Sequence, residues 1–225
     1  MSGNRARAGG GRGGGAGGDG VRDGADPRDG ADPEEAARQI CLRLLTAAPR
    51  TRAQLAAALR RRRVPDEVAE GVLGRFAEVG LIDDEAFARA WVESRHHGRG
   101  LARRALSAEL RQRGVAAEDV HAAVGALAPQ DEIATARRLV GRRVAATRGR
   151  PLPARVRHLA GVLARKGYPP GLAYQVVREA LEQDGALAAG LDLDPGFDLD
   201  SGFGPDPGSE QDPGLDLDQV PDPDA

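Results

Sequence analysis

Two leucines four residues apart, followed five residues later by another large apolar side chain, occur three times in this chain. They are Leu55, Leu59 and Val64, then Leu106, Leu110 and Val115 at an offset of 51, then Leu159, Leu163 and Tyr168 at a further 53. A second apolar pair follows each triplet: Val68 with Val72, Val120 with Val124, and Leu172 with Val176. The middle copy carries one extra residue before its pair. A period of about 50 residues replaces a single globule with a row of stacked units. Helices this short are marginal alone, so each unit must bury its apolar stripe on its own helices and its neighbours.

The apolar period between the copies is helical almost throughout. Ala36, Ile40 and Leu44, beside Ala37, Cys41 and Leu45, form the stripe of a first helix that Pro49 ends. Thr51 and Gln54 have the capping-box form and open a second. Pro65 suits the first turn of a third, whose Val68, Val72, Leu73, Phe76 and Val79 should face inward until Gly80. Asp84 should cap a fourth helix, broken by Gly98 and Gly100. Further helices are predicted near 101–113, 117–127, 130–147 and 153–166, and from Pro169 to about Glu182. Nothing alternates as a half-buried strand does. The expected fold is all-α: three three-helix repeats, 33–83, 84–129 and 130–184, forming an elongated, curved body.

Charge divides the chain in the same places. Residues 1–32 hold five Arg and five Asp, 33–184 hold 27 basic and 18 acidic residues, and 185–225 hold no basic and 11 acidic ones. The average of -2 therefore conceals a neutral arm, a +9 body and a -11 tail. The glycine-rich arm and the Leu-Asp and Asp-Pro tail have too few apolar side chains to offset the entropy of ordering, and both are expected to be disordered. A basic body points to an anionic partner, and the tail from Gly185 is expected either to fold transiently over the basic face and weaken non-specific DNA binding or to be an inert solubilising segment.

The basic residues follow the second leucine of each copy: Arg60, Arg61, Arg62 and Arg63, then Arg111 and Arg113, then Arg165 and Lys166. An arginine at a helix C-terminus offsets the macrodipole, but four in a row exceed what a helix end requires. Further clusters are Arg95, Arg99, Arg103 and Arg104, then Arg137, Arg138, Arg142, Arg143, Arg148, Arg150, Arg155 and Arg157. Individually these read as solvated positions. Glu109 reads as an intrahelical partner of Arg113. The residues expected to contact a partner or phosphate are Arg60 to Arg63, Arg99, Arg103, Arg104, Arg111, Arg113, Arg142 and Arg143. Phe87, Trp91, Leu106 and Leu110 are expected to hold the middle unit together.

Catalytic chemistry has little to stand on. Residues 9–18 lack the Lys-Ser/Thr ending of a phosphate loop, and the four histidines have no metal-site spacing. Asp83, Asp84 and Glu85 suit the positive end of a helix better than a cation site. Cys41 is the sole cysteine, so an intramolecular disulfide is excluded and a small core residue is the natural reading. A non-enzymatic cytoplasmic protein with no cofactor, no metal and no membrane span is expected, and a monomer.

The run Gly80-Leu81-Ile82-Asp83-Asp84-Glu85-Ala86-Phe87-Ala88-Arg89-Ala90-Trp91-Val92-Glu93-Ser94-Arg95, with Gly100 and the Leu106, Glu109, Leu110, Gly114, Val115 pattern, resembles the RecX family of recombination regulators. Residues 49–55 look like that family's first-unit signature and residues 163–169 like its third. The resemblance covers roughly residues 35–183. It implies a curved all-α protein that lodges along the groove of the RecA recombinase filament on single-stranded DNA, restraining ATP hydrolysis, strand exchange and coprotease activity. Arg63 departs from the family's usual glycine, so the first unit's helix stop is expected to shift by a residue or two. Two other readings stand beside this one: a helical DNA-binding protein contacting mainly phosphates, and a passive helical scaffold.

Overall fold

The computed structural model describes residues 32–186, and among these there are nine α-helices, one short 3-10 turn and no strand. The helices are α1 (Pro33–Ala47), α2 (Arg52–Arg61), α3 (Asp66–Glu78), α4 (Asp84–Arg99), α5 (Arg103–Gln112), α6 (Ala117–Gly125), α7 (Pro129–Val144), α8 (Leu152–Arg165) and α9 (Pro170–Gln183). The arm and nearly all of the tail, with the disorder expected for them, lie outside the described residues.

The repeated spacing has a local cause. In each copy the two leucines lie one turn apart on the second helix of a unit. The third apolar residue is two past the cap, where its N–H returns to the second leucine's carbonyl: Val64 to Leu59 at 3.2 Å, Val115 to Leu110 at 3.2 Å, Tyr168 to Leu163 at 3.1 Å. This is the Schellman closure, which brings an apolar side chain onto the last buried turn. It requires a left-handed residue just before the apolar one. Gly114 (φ +76°) and Gly167 (φ +84°) supply it in the second and third units, and Arg63 (φ +58°) in the first. The helix stop in the first unit is therefore not displaced. Arg63 adopts the strained conformation instead.

Other local expectations are adjusted. Asp83, not Asp84, is the N-cap of α4, accepting from the Ala86 N–H at 2.7 Å. Gly98 stays helical, and Gly100, at φ +66°, alone ends α4. Val79 is 70 % exposed, because the helix-closing turn rotates it off the stripe that Val72, Leu73 and Phe76 keep inward. The capping box at Thr51 and Gln54 is present as read.

Within every unit the third helix packs on both others. Three cores result: Leu55, Leu59, Leu73 and Phe76 with Ala37 and Cys41; Leu106, Leu110, Val115 and Val120 with Ala88 and Val92; Leu159, Leu163, Tyr168 and Val176 with Val140 and Leu181.

The units join through one repeated junction. The first N–H of α2, at Arg52, donates to Asp84 at the start of α4 (2.9 Å), and the first N–H of α5, at Arg103, donates to Glu132 of α7 (3.1 Å). In the first two units the second helix thus has a first-turn N–H donor capped by a carboxylate of the next unit. The C-terminal turn of the next second helix meets the same N-terminus. Thr51 Oγ1 donates to the Arg113 carbonyl (2.6 Å), and the Ala102 N–H donates to that of Lys166 (2.9 Å). The second helices thus run head to tail, α8 into α5 and α5 into α2, and among the described residues the C-terminus of α2 meets no further second helix.

Candidate partner interface

That open C-terminus carries the four-arginine run. Arg60, Arg61 and Arg63 are exposed, and Arg62 is the half-buried cap residue. The equivalent turns of α5 and α8 lie against neighbours, and Arg113 and Lys166 there have packing roles, while Arg111 and Arg165 stay exposed. The Arg113 guanidinium lies over the Trp91 ring at 3.8 Å, and Lys166 Nζ donates to the Arg99 carbonyl at 2.6 Å, neutralising the end of α4. The basic repeat seen in sequence is thus part junction and part open surface.

Around Trp91 the packing is charged. Arg95, expected to be solvated, is 6 % exposed, and its guanidinium also lies over the Trp91 ring, 4.1 Å from the centroid. Glu109 accepts from Trp91 Nε1 at 2.7 Å and lies 3.8 Å from Arg95 Nε, so it serves helix α4 rather than a purely intrahelical pair. Phe87 stacks on Trp91 at 5.6 Å. Both rings are half-buried and line a cleft of about 210 Å³ with Pro49, Ala90 and Arg95, whereas Leu106 and Leu110 are fully enclosed. His96 is also buried. Its Nδ1 donates to the Leu101 carbonyl (2.9 Å) and its Nε2 meets Thr135 (3.1 Å), tying α4 to α7.

Arg103 is drawn inward. Its guanidinium donates to the Leu127 carbonyl and stands 3.7 Å from Glu132. Arg104 and Arg111 on the same helix are exposed. Arg99, Arg142 and Arg143 come together with Arg138, Lys166 and His97 around a cleft of about 260 Å³ between the end of α4 and the middle of α7. Among the described residues that line it, none is acidic. Arg137, on another side of α7, is instead paired with Glu179 at 2.9 Å, which holds that carboxyl below its ordinary range.

Arg155, expected at the surface, is 5 % exposed. It donates to Thr147 Oγ1 (2.9 Å) and to Asp184 (2.6 Å), which Arg148 also holds (2.5 and 2.8 Å). Hydrogen bonds from Arg148 and Arg155 lower the Asp184 carboxyl to about 2. Sequence reasoning missed this pair and the junction carboxylates Asp84 and Glu132. The one available signal was that each acid stands in the first turn of the first helix of its unit, where a dipole role was the simpler reading.

Two family models match the chain: the first three-helix domain of RecX over residues 37–76 and the second over residues 83–124. The regulatory protein RecX of Thermobifida fusca is 68 % identical over 149 residues, which is 66 % of this chain and 80 % of that protein. This chain belongs to the RecX family. The RecX of Streptomyces coelicolor is 63 % identical over 151 residues, covering 67 % of this chain and 80 % of that one. A crystal structure of RecX from Lactobacillus salivarius superposes with a TM-score of 0.61 at 14 % identity, covering 66 % of this chain and 96 % of that one. A second RecX crystal structure gives 0.59 at 23 % identity, covering 66 % and 72 %. At those identities the likeness concerns the fold. RecX-family regulatory proteins are thus the frame for the basic surfaces described above. Among the described residues no helix is long and apolar enough to cross a membrane.

Proposed function

We propose that this chain binds the RecA recombinase filament on single-stranded DNA and restrains its ATP hydrolysis, strand exchange and coprotease activity as a non-catalytic monomer in the cytoplasm. Membership of a family of regulatory proteins supports the reading, and the arginine-lined cleft supplies a surface for it. A filament presents phosphates and acidic side chains, and cations in a partly enclosed cleft attract both more strongly than cations spread over a convex surface. Arg60, Arg61 and Arg63 at the open end of the row, and the exposed Arg104 and Arg111, extend the contact surface.

A second reading, direct DNA binding through phosphates, is favoured by the same cleft, whose cationic lining offers donors to phosphate oxygens. One titration separates the two. RecA ATPase on single-stranded DNA is measured with increasing amounts of this protein, alongside its binding to the DNA alone. Inhibition at concentrations too low to coat the DNA supports filament regulation. Unchanged turnover together with tight binding to free DNA replaces it with the second reading.

A further inference from the structure

We infer that the cleft between the α1–α2 corner and α4 is a docking pocket for one large apolar side chain of a protein partner, and that Arg50 receives a carboxylate beside that side chain. The inference goes beyond the proposed function, since it does not require the partner to be the recombinase.

Its first support is shape. The cleft measures about 210 Å³, below the roughly 300 to 1,000 Å³ of pockets that enclose a whole small ligand, and it suits a single side chain. The hollow has a local cause. Pro49 turns the chain between α1 and α2, and on α4 the stacked Phe87 and Trp91 rings stand beside the short side chains of Ala90 and Ser94. Positions three, four and seven apart share a helix face, so large rings next to small residues leave a depression with apolar walls. Both rings are half-buried.

Its second support is an unsatisfied donor. Arg50 Nε is buried and has no hydrogen-bond partner, a state shared among the described residues by the Nε of Arg103 and of Arg113. Those two guanidiniums are engaged with the Leu127 carbonyl and the Trp91 ring, whereas Arg50 lines the cleft. Leaving a buried donor unmade is costly, and an oxygen acceptor brought by a partner removes that cost. Among the described residues that line the cleft none is acidic, and a carboxylate is the acceptor a guanidinium binds most strongly. Arg95, the other lining cation, already faces Glu109 at 3.8 Å.

Its third support is what the walls select. The Arg95 and Arg113 guanidiniums already lie over the Trp91 ring at 4.1 and 3.8 Å, and the indole N–H is given to Glu109. A nucleobase stacks on an open ring and has polar edges that need partners, which the side chains of Ala48, Pro49, Phe87 and Ala90 do not offer. An aliphatic or aromatic protein side chain needs none. An anchor of that kind in an apolar pocket beside an arginine is the arrangement that concentrates binding energy in protein contacts.

The test follows the emission of Trp91, the sole tryptophan, as peptides are titrated into the full-length protein without recombinase. The probes are acetyl-Asp-Asp-Phe-Asp-Asp-amide, its analogue with alanine for phenylalanine, and its analogue with asparagine for every aspartate. The first should shift the emission saturably. The alanine analogue should bind about ten- to a hundredfold more weakly, the worth of one large apolar side chain removed from water. Arg50→Gln should cut the preference for aspartate over asparagine by about fivefold, the share of one hydrogen-bonded pair. Ala90→Phe fills the hollow from an exposed helical position and should abolish binding, with far-UV circular dichroism confirming that both variants keep their helices. Equal affinity for the phenylalanine and alanine peptides overturns the apolar anchor. An aspartate preference that survives Arg50→Gln overturns Arg50 as the receiving group, and binding indifferent to Ala90→Phe overturns the cleft as the site. Emission that responds to oligothymidylate and to none of the peptides makes the cleft a base site and also overturns the inference, as does no response to any probe.

Discussion

Gly167 sits directly under Ala105: a Cβ built on the glycine would lie 2.6 Å from the Ala105 backbone nitrogen and 2.8 Å from its Cβ. Gly114 is closed off in the same way by Ala53 of the preceding unit. Among the described residues no unit precedes Arg63, and a side chain is accommodated there. Backbone freedom and a close approach coincide at both glycines, and the close approach is the junction itself.

Gly167→Ala should therefore destabilise the protein by about 2 to 5 kcal/mol, combining left-handed strain with an overpacked contact. Arg63→Gly should be neutral or stabilising by up to about 1 kcal/mol, since relief of strain exceeds the added entropy of the unfolded glycine only slightly. Urea denaturation of both variants measures the contrast, and equal losses would contradict the junction account.

Acid should loosen the end of α9 in a definable window. The Asp184 carboxyl is lowered to about 2 in the folded chain by its bonds from Arg148 and Arg155, against about 3.9 when unfolded. Folding therefore favours the charged form. Its stabilisation is complete above about pH 4 and disappears as pH falls through 2. Asp184→Asn should flatten the Tm profile between those values, and a slope identical to wild type would refute the assignment.

Trp91 is the sole tryptophan, so its emission reports on the charged packing around it. Glu109→Ala removes the acceptor of its indole N–H and the carboxylate facing Arg95. The loss should be about 2 kcal/mol, below that of a fully enclosed pair because Glu109 retains some water contact. Emission should change in the folded state at neutral pH and coincide with wild type in 8 M urea, the denaturant strength being about that which unfolds most small domains.

Cys41 should be inert in the native protein. It is fully buried, and burial pushes its thiol up to about 11. Labelling by a thiol reagent at pH 7.5 should follow the opening of the first unit, accelerating with urea. Immediate labelling without denaturant would show that α1 does not stay docked.

If the cleft on α7 contacts an anionic partner, Arg142→Gln with Arg143→Gln should reduce the slope of log affinity against log salt by about 1 to 2, close to one per lost phosphate contact. Arg137→Gln, whose side chain is occupied by Glu179, should leave the slope unchanged. RecA ATPase inhibition titrated at several salt concentrations provides the readout.

Much of the fold was legible in the leucine spacing because that spacing is a local geometry: one helical turn, then a Schellman closure. The three copies, the cap at Thr51 and the enclosed Leu106 and Leu110 follow from short stretches of chain. The candidate interface was legible only in part. Arg60, Arg61, Arg104, Arg111, Arg142 and Arg143 are exposed as read, but Arg103 and Arg113 are committed to packing, and Arg95 and Arg155 are buried. Arginine has a long apolar stem and a head that can satisfy carbonyls or cover a ring, so its residue type does not say which side of a helix contact it occupies.

The sequence by itself determined the elements and their number, because apolar period, caps and left-handed stops act within a few residues. It also determined the separation of a basic body from an acidic tail. Only the tertiary structure decided which helix ends are joined and which stays open, and hence which arginines remain at the surface. Those choices depend on contacts between residues 50 to 70 positions apart, such as Thr51 with Arg113 and Tyr168 with Gly100, and no local pattern encodes them.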